Sequence, residues 1–301
     1  MSIPIAEQHS LPSRLADRLE RINRRAIYLF VAVSLSLPII ADVQMKPAPM
    51  ATARALYEAV NALNPEDGKI VLIAADWGPG TMAENRPQTA LAIEHLMRKR
   101  QPFALISIYT LAVPFLEEVP NTIKRRLEVE MPGQTWEYGR DWVNLGYRPG
   151  GIIMIQRLAK AENLHEALKT DANETPIAQI PMMRSVKTAK DISMLMQFTG
   201  LVGVFNYWLQ FFPGPTFVHG CTSITIPEAF IYYSSKQIVG FFEGLAGAAY
   251  YETILDEAYP GRSGESLALA TNTGLAFAQL VVLGFIVLGN AGVLLRKVMR
   301  S

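Results

Sequence analysis

The chain has 301 residues, 50% hydrophobic and 18% charged, with a net charge of +1 at pH 7. Near-neutrality leaves no global field to recruit nucleic acid or an acidic partner, and a mean hydropathy of +0.16 is too low for a polytopic transporter. The one cysteine, Cys221, excludes an intramolecular disulfide framework and a multi-cysteine metal site.

Residues 1–25 carry five arginines: Arg14, Arg18, Arg21, Arg24 and Arg25. Leu11, Leu15, Leu19 and Ile22 recur at helical spacing, which predicts an amphipathic helix over 11–25 on a membrane surface. An uncharged apolar run over 26–41 follows, and Val43 and Met45 extend it. Residues 26–45 therefore read as a first transmembrane helix. The leader is long and Ile39 fits a signal cleavage site badly, so the helix is read as an uncleaved anchor.

Residues 46–266 read as alternating strands and helices. After Pro47 and Pro49, a helix is expected over 52–63 with Ala55, Val60 and Leu63 inward. The continuous apolar run 69–75 looks like a strand buried on both faces. A helix over 85–100 ends in Arg98, Lys99 and Arg100, favourably placed at the negative end of its dipole. Strands are expected over 103–109, 141–145, 191–199 and 216–221, with helices over 113–129 and 152–168 and a long loop over 170–185. Helical character is expected from 227 to 255, then a hinge over 259–264. The apolar stretches 194–212 and 238–255 hold Gln197, Asn206 and Gln210, and Glu243 and Glu252 respectively. An intramembrane glutamate is costly, so both stretches are assigned to the domain; two crossings there would give a four-helix protein.

Residues 267–295 exceed the roughly 20 apolar residues needed to cross a bilayer, and carry only uncharged polar groups. Residues 296–301, with Arg296, Lys297 and Arg300, form a basic tail. Basic residues outside both runs place the two termini in the cytoplasm and residues 46–266 outside. The fold class is then α/β, a Rossmann-like, mainly parallel sheet domain beyond the inner membrane, flanked by terminal transmembrane helices.

In an open parallel sheet, ligands bind beyond the carboxyl ends of the strands. That rule nominates Asp76, Trp77 and Glu84, then Tyr109 and Thr110, then Asn144, Tyr147 and Arg148, and finally Thr199 and Asn206. Asp76 with Glu84 suits a cation or a hydrogen-bonding sugar or amine; otherwise Asp76 caps a turn and Trp77 covers the core. Neither dinucleotide nor P-loop glycine spacing occurs in 78–81, and Gly150-Gly151 suits a tight turn better than an anion cradle. His219 and Cys221 face one side of a strand but lie about 6.5 Å apart along it, too far for a nucleophile pair. The four histidines are scattered and form no zinc motif, so no metal and no cofactor are expected.

Gly240, Gly244 and Ala248, with Gly247 adjacent, suggest a small-residue helical stripe for close packing, either on the domain's own sheet or on another subunit. In the last run, Gly274, Ala278, Gly284 and Asn290 suggest helix association within the membrane. The expected function is a non-enzymatic subunit of a membrane assembly whose α/β domain makes the contacts. A tethered small-solute binding or sensor domain is the alternative, and a membrane-anchored hydrolase the third. The expected partners are the lipid bilayer and homo- or hetero-oligomeric membrane proteins, with a small-molecule ligand under the alternative.

Overall fold

Strand β1 (Ile70–Asp76) is buried at every position, which requires cover on both faces of its sheet. The computed structural model describes residues 23–41, 43–262 and 267–300. They form two units, one spanning Lys46–Leu269 and the other built from the described residues of Met1–Met45 and Ala270–Ser301.

In the first unit, β1 lies beside β2 (Phe103–Ser107), then β3 (Trp142–Tyr147), and on its other side beside β4 (Ile192–Thr199), β5 (Thr216–Cys221) and β6 (Gly240–Glu243). The order β3-β2-β1-β4-β5-β6 is parallel throughout and reverses direction between β1 and β4. One face carries α2 (Ala51–Asn61), α3 (Met82–Arg98), α4 (Val113–Glu130) and α9 (Gly244–Ala258); Val71, Ile73 and Met196 point into that core. The other face carries α5 (Ile152–Ala159), α6 (Leu164–Leu168), α7 (Val204–Phe211) and α8 (Ile226–Ser234), against Leu72, Ala74 and Leu195. Alternate residues of each strand thus feed two separate cores, as the period of two demands.

Five strands fall where the apolar runs predict them, and the parallel sheet follows. The sixth corrects the continuous helix expected over 227–255. There α8 stops at Ser234, Lys236 adopts a left-handed φ of 60°, and the chain returns as β6 before α9 begins. Four residues, Gly-Phe-Phe-Glu, are too few for a period of two to show against flanking helical pattern. The stretch 194–212 resolves into β4 and α7, and the expected 152–168 helix breaks at Asn163, whose side chain accepts from His165 N to cap α6. In α2 the fully buried residues are Ala53, Leu56 and Val60; Ala55 and Leu63 are only partly covered.

The point where the chain enters this unit at Lys46 lies toward the amino ends of the strands. α9 runs back from the carboxyl end of β6, and near its far end Glu257 pairs with Lys46 at 3.8 Å. Arg262 follows shortly after.

In the second unit α1 (Arg24–Ile40) packs against α10 (Leu267–Arg300). Met45 N donates to Thr273 Oγ1 at 3.0 Å, and Phe30 meets Phe285 edge-to-face at 5.8 Å. Positions falling along α1 match positions rising along α10, so the two helices are antiparallel. A Cβ at Gly274 would sit 2.7 Å from the Leu35 carbonyl oxygen, so only glycine permits this approach. Within α10, Ala268–Leu294 is long and apolar enough to cross a membrane. The first span, expected over 26–45, is helical from Arg24 only to Ile40, and the predicted amphipathic segment before it falls, up to residue 22, outside the described residues.

Candidate functional site

The topological reversal between β1 and β4 is where a doubly wound sheet opens a ligand crevice, and Asp76 ends β1 there. Its carboxylate is wholly buried and already engaged. Oδ1 accepts from Ile108 N at 2.7 Å and Ser107 Oγ at 2.9 Å; Oδ2 accepts from Trp208 Nε1 at 2.6 Å and Gln197 Nε2 at 3.5 Å. Burial pushes the Asp76 pKa up, and these four donors oppose the rise. Asp76 therefore ties β1 to β2, β4 and α7, in an interior position and not at a solvent-facing one.

The crevice above it is filled by the chain itself. Gly200 sits so close to Thr81 and Thr222 that a Cβ there would collide with both. Glu84 Oε2 accepts from Ser223 N at 2.8 Å and Ser223 Oγ at 2.6 Å, lacing the loop after β5 to α3. Trp77 is buried, donates to Thr89 Oγ1 at 3.0 Å and stacks on Phe115.

The remaining nominated residues are dispersed. Asn144 Oδ1 accepts from Gly146 N at the end of β3, two strands from β1, and Arg148 donates to the carbonyls of Leu168 and Thr170. Asn206 Nδ2 donates to Glu228 Oε1 at 2.7 Å, while Tyr109 is half-exposed beside Gly78. Asp76 and Glu84 share no ligand position; among the described residues no group of three His, Cys, Asp or Glu is arranged to hold a metal. Gly150 and Gly151 have φ of 113° and 52°, the conformations of a turn that needs glycine.

His219 Nδ1 donates to Gln197 O at 2.9 Å and its ring stacks on Phe205 at 4.1 Å, and burial lowers its pKa to about 3. Burial likewise pushes the Cys221 thiol up to about 12, and its Sγ donates to Phe242 O. A neutral histidine and a protonated thiol are packing groups at neutral pH.

The expected helical stripe is corrected too. Gly240 lies on β6, passing against the Leu56 backbone of α2; Gly244 starts α9 at φ 57°; Gly247 meets the Phe242 backbone at 3.0 Å. With Ala248 buried, the close approach occurs inside the domain. In α10, Ala278 is buried beside the Gly274 contact, Gly284 faces open space, and Asn290 donates to Ile286 O of its own helix.

Two features have no counterpart in the sequence reading. The first is a buried ionic cluster where the domain ends. Glu94 of α3 receives Arg98 Nε at 2.9 Å, Arg262 Nε at 2.7 Å and Nη2 at 2.8 Å, and an ion pair from Arg126 of α4. Arg262 also reaches Asp256 at 2.6 Å and Glu252 at 3.3 Å, and Glu252 Oε2 accepts from Leu269 N at 3.0 Å. Burial alone would raise the Glu94 pKa, but Arg262, with Arg126 and Arg98, holds it at about 2. Burial raises Glu252, only partly offset by Arg262. The expected hinge at 259–264 is thus pinned at Arg262. A charged residue among apolar ones on the inward face of α3 was the available signal.

The second is an apolar rim at the carboxyl ends of the strands. Ile224 after β5 is 87% exposed and Val202 after β4 is 84% exposed, with Met82, Leu111 and Val113 also exposed after β1 and β2. The loops that carry them adjoin: Gly78 lies against Leu111, Gly200 against Thr81 and Thr222, and Glu84 against Ser223. Searches of family models, characterised proteins and solved structures give no match to this chain. The functional reading therefore stands on these surfaces.

Proposed function

We propose that the protein is a non-enzymatic subunit of a membrane assembly and that its domain contacts neighbouring subunits through the apolar rim at the carboxyl end of the sheet. The observation that carries this reading is the rim itself. Five large apolar side chains are exposed on four adjoining strand-end connections and the helix starts that follow them, and exposed apolar surface is a mark of an interaction site. The rim lies at the opposite end of the domain from the Lys46–Glu257 pair, which suits a surface that must reach another protein. The Arg262 cluster supports the same reading, because it fixes the last residues of the domain to its core.

In this proposal the Rossmann-like domain lies outside the inner membrane, α1 and α10 are membrane helices, and both termini are cytoplasmic. Antiparallel packing of α1 on α10 supports a shared side for the two ends, and the flanking arginines and lysine favour the cytoplasm as that side. The solute-binding alternative draws on Asp76, Glu84, Tyr109 and Asn206 and the hydrolase on Asp76; four internal donors occupy the Asp76 carboxylate, and Glu84 and Asn206 are bonded within the domain.

Site-specific photo-cross-linking in native membranes tests the proposal. A photoreactive residue at Ile224 or Val202 is expected to give defined protein adducts, while one at the exposed Arg157 on α5 gives none. Ile224→Asp is expected to abolish the adducts without loss of folded protein. A monodisperse monomer on gentle extraction, with no rim-specific adduct, overturns the reading.

A further inference from the structure

The small residues of α10 are used within its own hairpin. Gly274 receives the Leu35 backbone, Ala278 is buried beside it, and Phe285 meets Phe30. These three share one side of the helix, and the amides share another. Asn272, Gln279, Ile286 and Val293 recur every seven residues, and Leu283 and Asn290 fall four after Gln279 and Ile286. That is the spacing of a left-handed coiled-coil seam, and it runs roughly 130° around α10 from the side that meets α1. Nothing among the described residues covers it: Leu283, Ile286 and Val293 are 56%, 53% and 56% exposed.

Gln279 sits near the midpoint of Ala268–Leu294, exposed and without a hydrogen-bond partner among the described residues. Roughly 16 Å of helix or more separates it from either end of that segment, too far for its side chain to reach water or headgroups. In a bilayer its two N–H donors and its carbonyl would face hydrocarbon, which offers neither donor nor acceptor. Asn272 also has no partner among the described residues, and Asn290 uses one N–H on Ile286 O.

The amides indicate what covers this seam. A carboxamide is both donor and acceptor, so it pairs with an identical group. With both termini on one side of the membrane, a second copy presents α10 in the same direction. A parallel pair then sets Gln279 against Gln279 and Asn290 against Asn290 at equal depth. A second copy matches all three amides by identity. An unrelated helix would need its own polar groups at those depths, and a lipid chain has none.

We infer that α10 pairs in parallel with α10 of a second copy along the Asn272–Gln279–Ile286–Val293 seam, the two Gln279 side chains bonding to each other near mid-membrane. This inference rests on the membrane placement proposed above and goes beyond it. It names the chain itself as a partner and uses none of the rim residues.

The test uses the full chain in native membranes, with disulfide formation between copies as the first readout. Cys221 is buried, so the unaltered chain is the blank. Ile286→Cys on the seam is expected to give a product of two copies on mild oxidation. Leu288→Cys, at a position 45% exposed on the opposite side of the helix, is expected to give little. Gln279→Leu keeps the span apolar and intact. It is expected to weaken pairing at least about tenfold, read as the lipid dilution at which energy transfer between labelled copies is half lost. Ile224→Asp at the rim is expected to leave the Ile286→Cys product unchanged. Retention after alkaline carbonate washing is scored on the same membranes. A chain that washes off overturns the membrane placement and this pairing with it. A retained chain overturns the pairing alone if Ile286→Cys and Leu288→Cys give equal yields, if Gln279→Leu pairs as tightly as the unaltered chain, if Ile224→Asp removes the product, or if the product holds another protein in place of a second copy.

Discussion

Arg262 grips Glu94 with both prongs of its guanidinium, Nε to Oε1 at 2.7 Å and Nη2 to Oε2 at 2.8 Å, with each side chain about 2% exposed or less. Two residues 168 positions apart thereby join helix α3 to the end of the domain. Removing one partner of a buried pair strands the other's charge in a poor dielectric. Arg262→Met is expected to destabilise the domain by about 3–5 kcal/mol. The double change Arg262→Met with Glu94→Leu should cost less than the sum of the two single changes. Urea unfolding followed by tryptophan fluorescence measures all three, and strict additivity would show that the pair is not coupled.

Acid should weaken the domain in two stages. Burial holds His95 and His219 neutral, each with a pKa lowered to about 3 from 6.5. The unfolded chain takes up those protons first, so their stabilisation is complete above pH 6.5 and is lost as pH falls toward 3. The slope is about 1.4 kcal/mol per pH unit for each histidine. Glu94, lowered to about 2 from 4.5, adds a further loss between those values. Asp76 and Glu252 are shifted upward and act in the opposite sense as the pH falls through their titration. Unfolding midpoints taken from pH 7.5 down to 4 should therefore decline, and His219→Gln should make the decline shallower. A flat profile above pH 5 would contradict the assigned histidine states.

Asp76→Asn separates a packing carboxylate from a catalytic one. An amide has one acceptor oxygen, so keeping Ile108 N and Ser107 Oγ turns its NH2 toward the Trp208 indole N–H, donor against donor. A stability loss of about 1–3 kcal/mol is expected, with altered Trp208 fluorescence. In that background Trp208→Phe should cost less than it does in the unaltered chain. Equal costs would mean that the indole and the carboxylate act independently.

The helix pair offers an internal control. Gly274→Val places a methyl-bearing carbon on the Leu35 carbonyl, whereas Gly284→Val enters open space. Cross-linking between cysteines introduced at Phe30 and Phe285, which are 5.8 Å apart ring to ring, should fall sharply in the first variant and hold in the second. A similar yield in both would remove Gly274 from the contact.

Strands β1 to β5 are legible because strands buried on both faces are predominantly apolar, and that constraint is written locally. The small residues Gly240, Gly244 and Gly247 were legible as points of close approach, but not what approaches. Leu56 of α2 and the Phe242 backbone fill those spaces, and their arrival depends on how α2, β6 and α9 are layered. Asp76 is the last residue of β1, one beyond the strand expected over 69–75. Its character was not readable, since it depends on Trp208, which lies 132 residues further on and crosses above it.

The amino-acid sequence by itself determined the alternation of helix and strand, the parallel α/β class and the long apolar segment near the carboxyl end. Each of these follows from the composition of neighbours within one element, where hydrophobic period and length act directly. Only the tertiary structure decided that the strand-end crevice is filled by Thr81, Gly200 and Thr222, that Arg262 is buried on Glu94, and that the strand ends carrying exposed apolar side chains adjoin. Those outcomes depend on which distant surfaces come together. The energy of a charge or an apolar group is set by those surroundings, and the chain order does not display them.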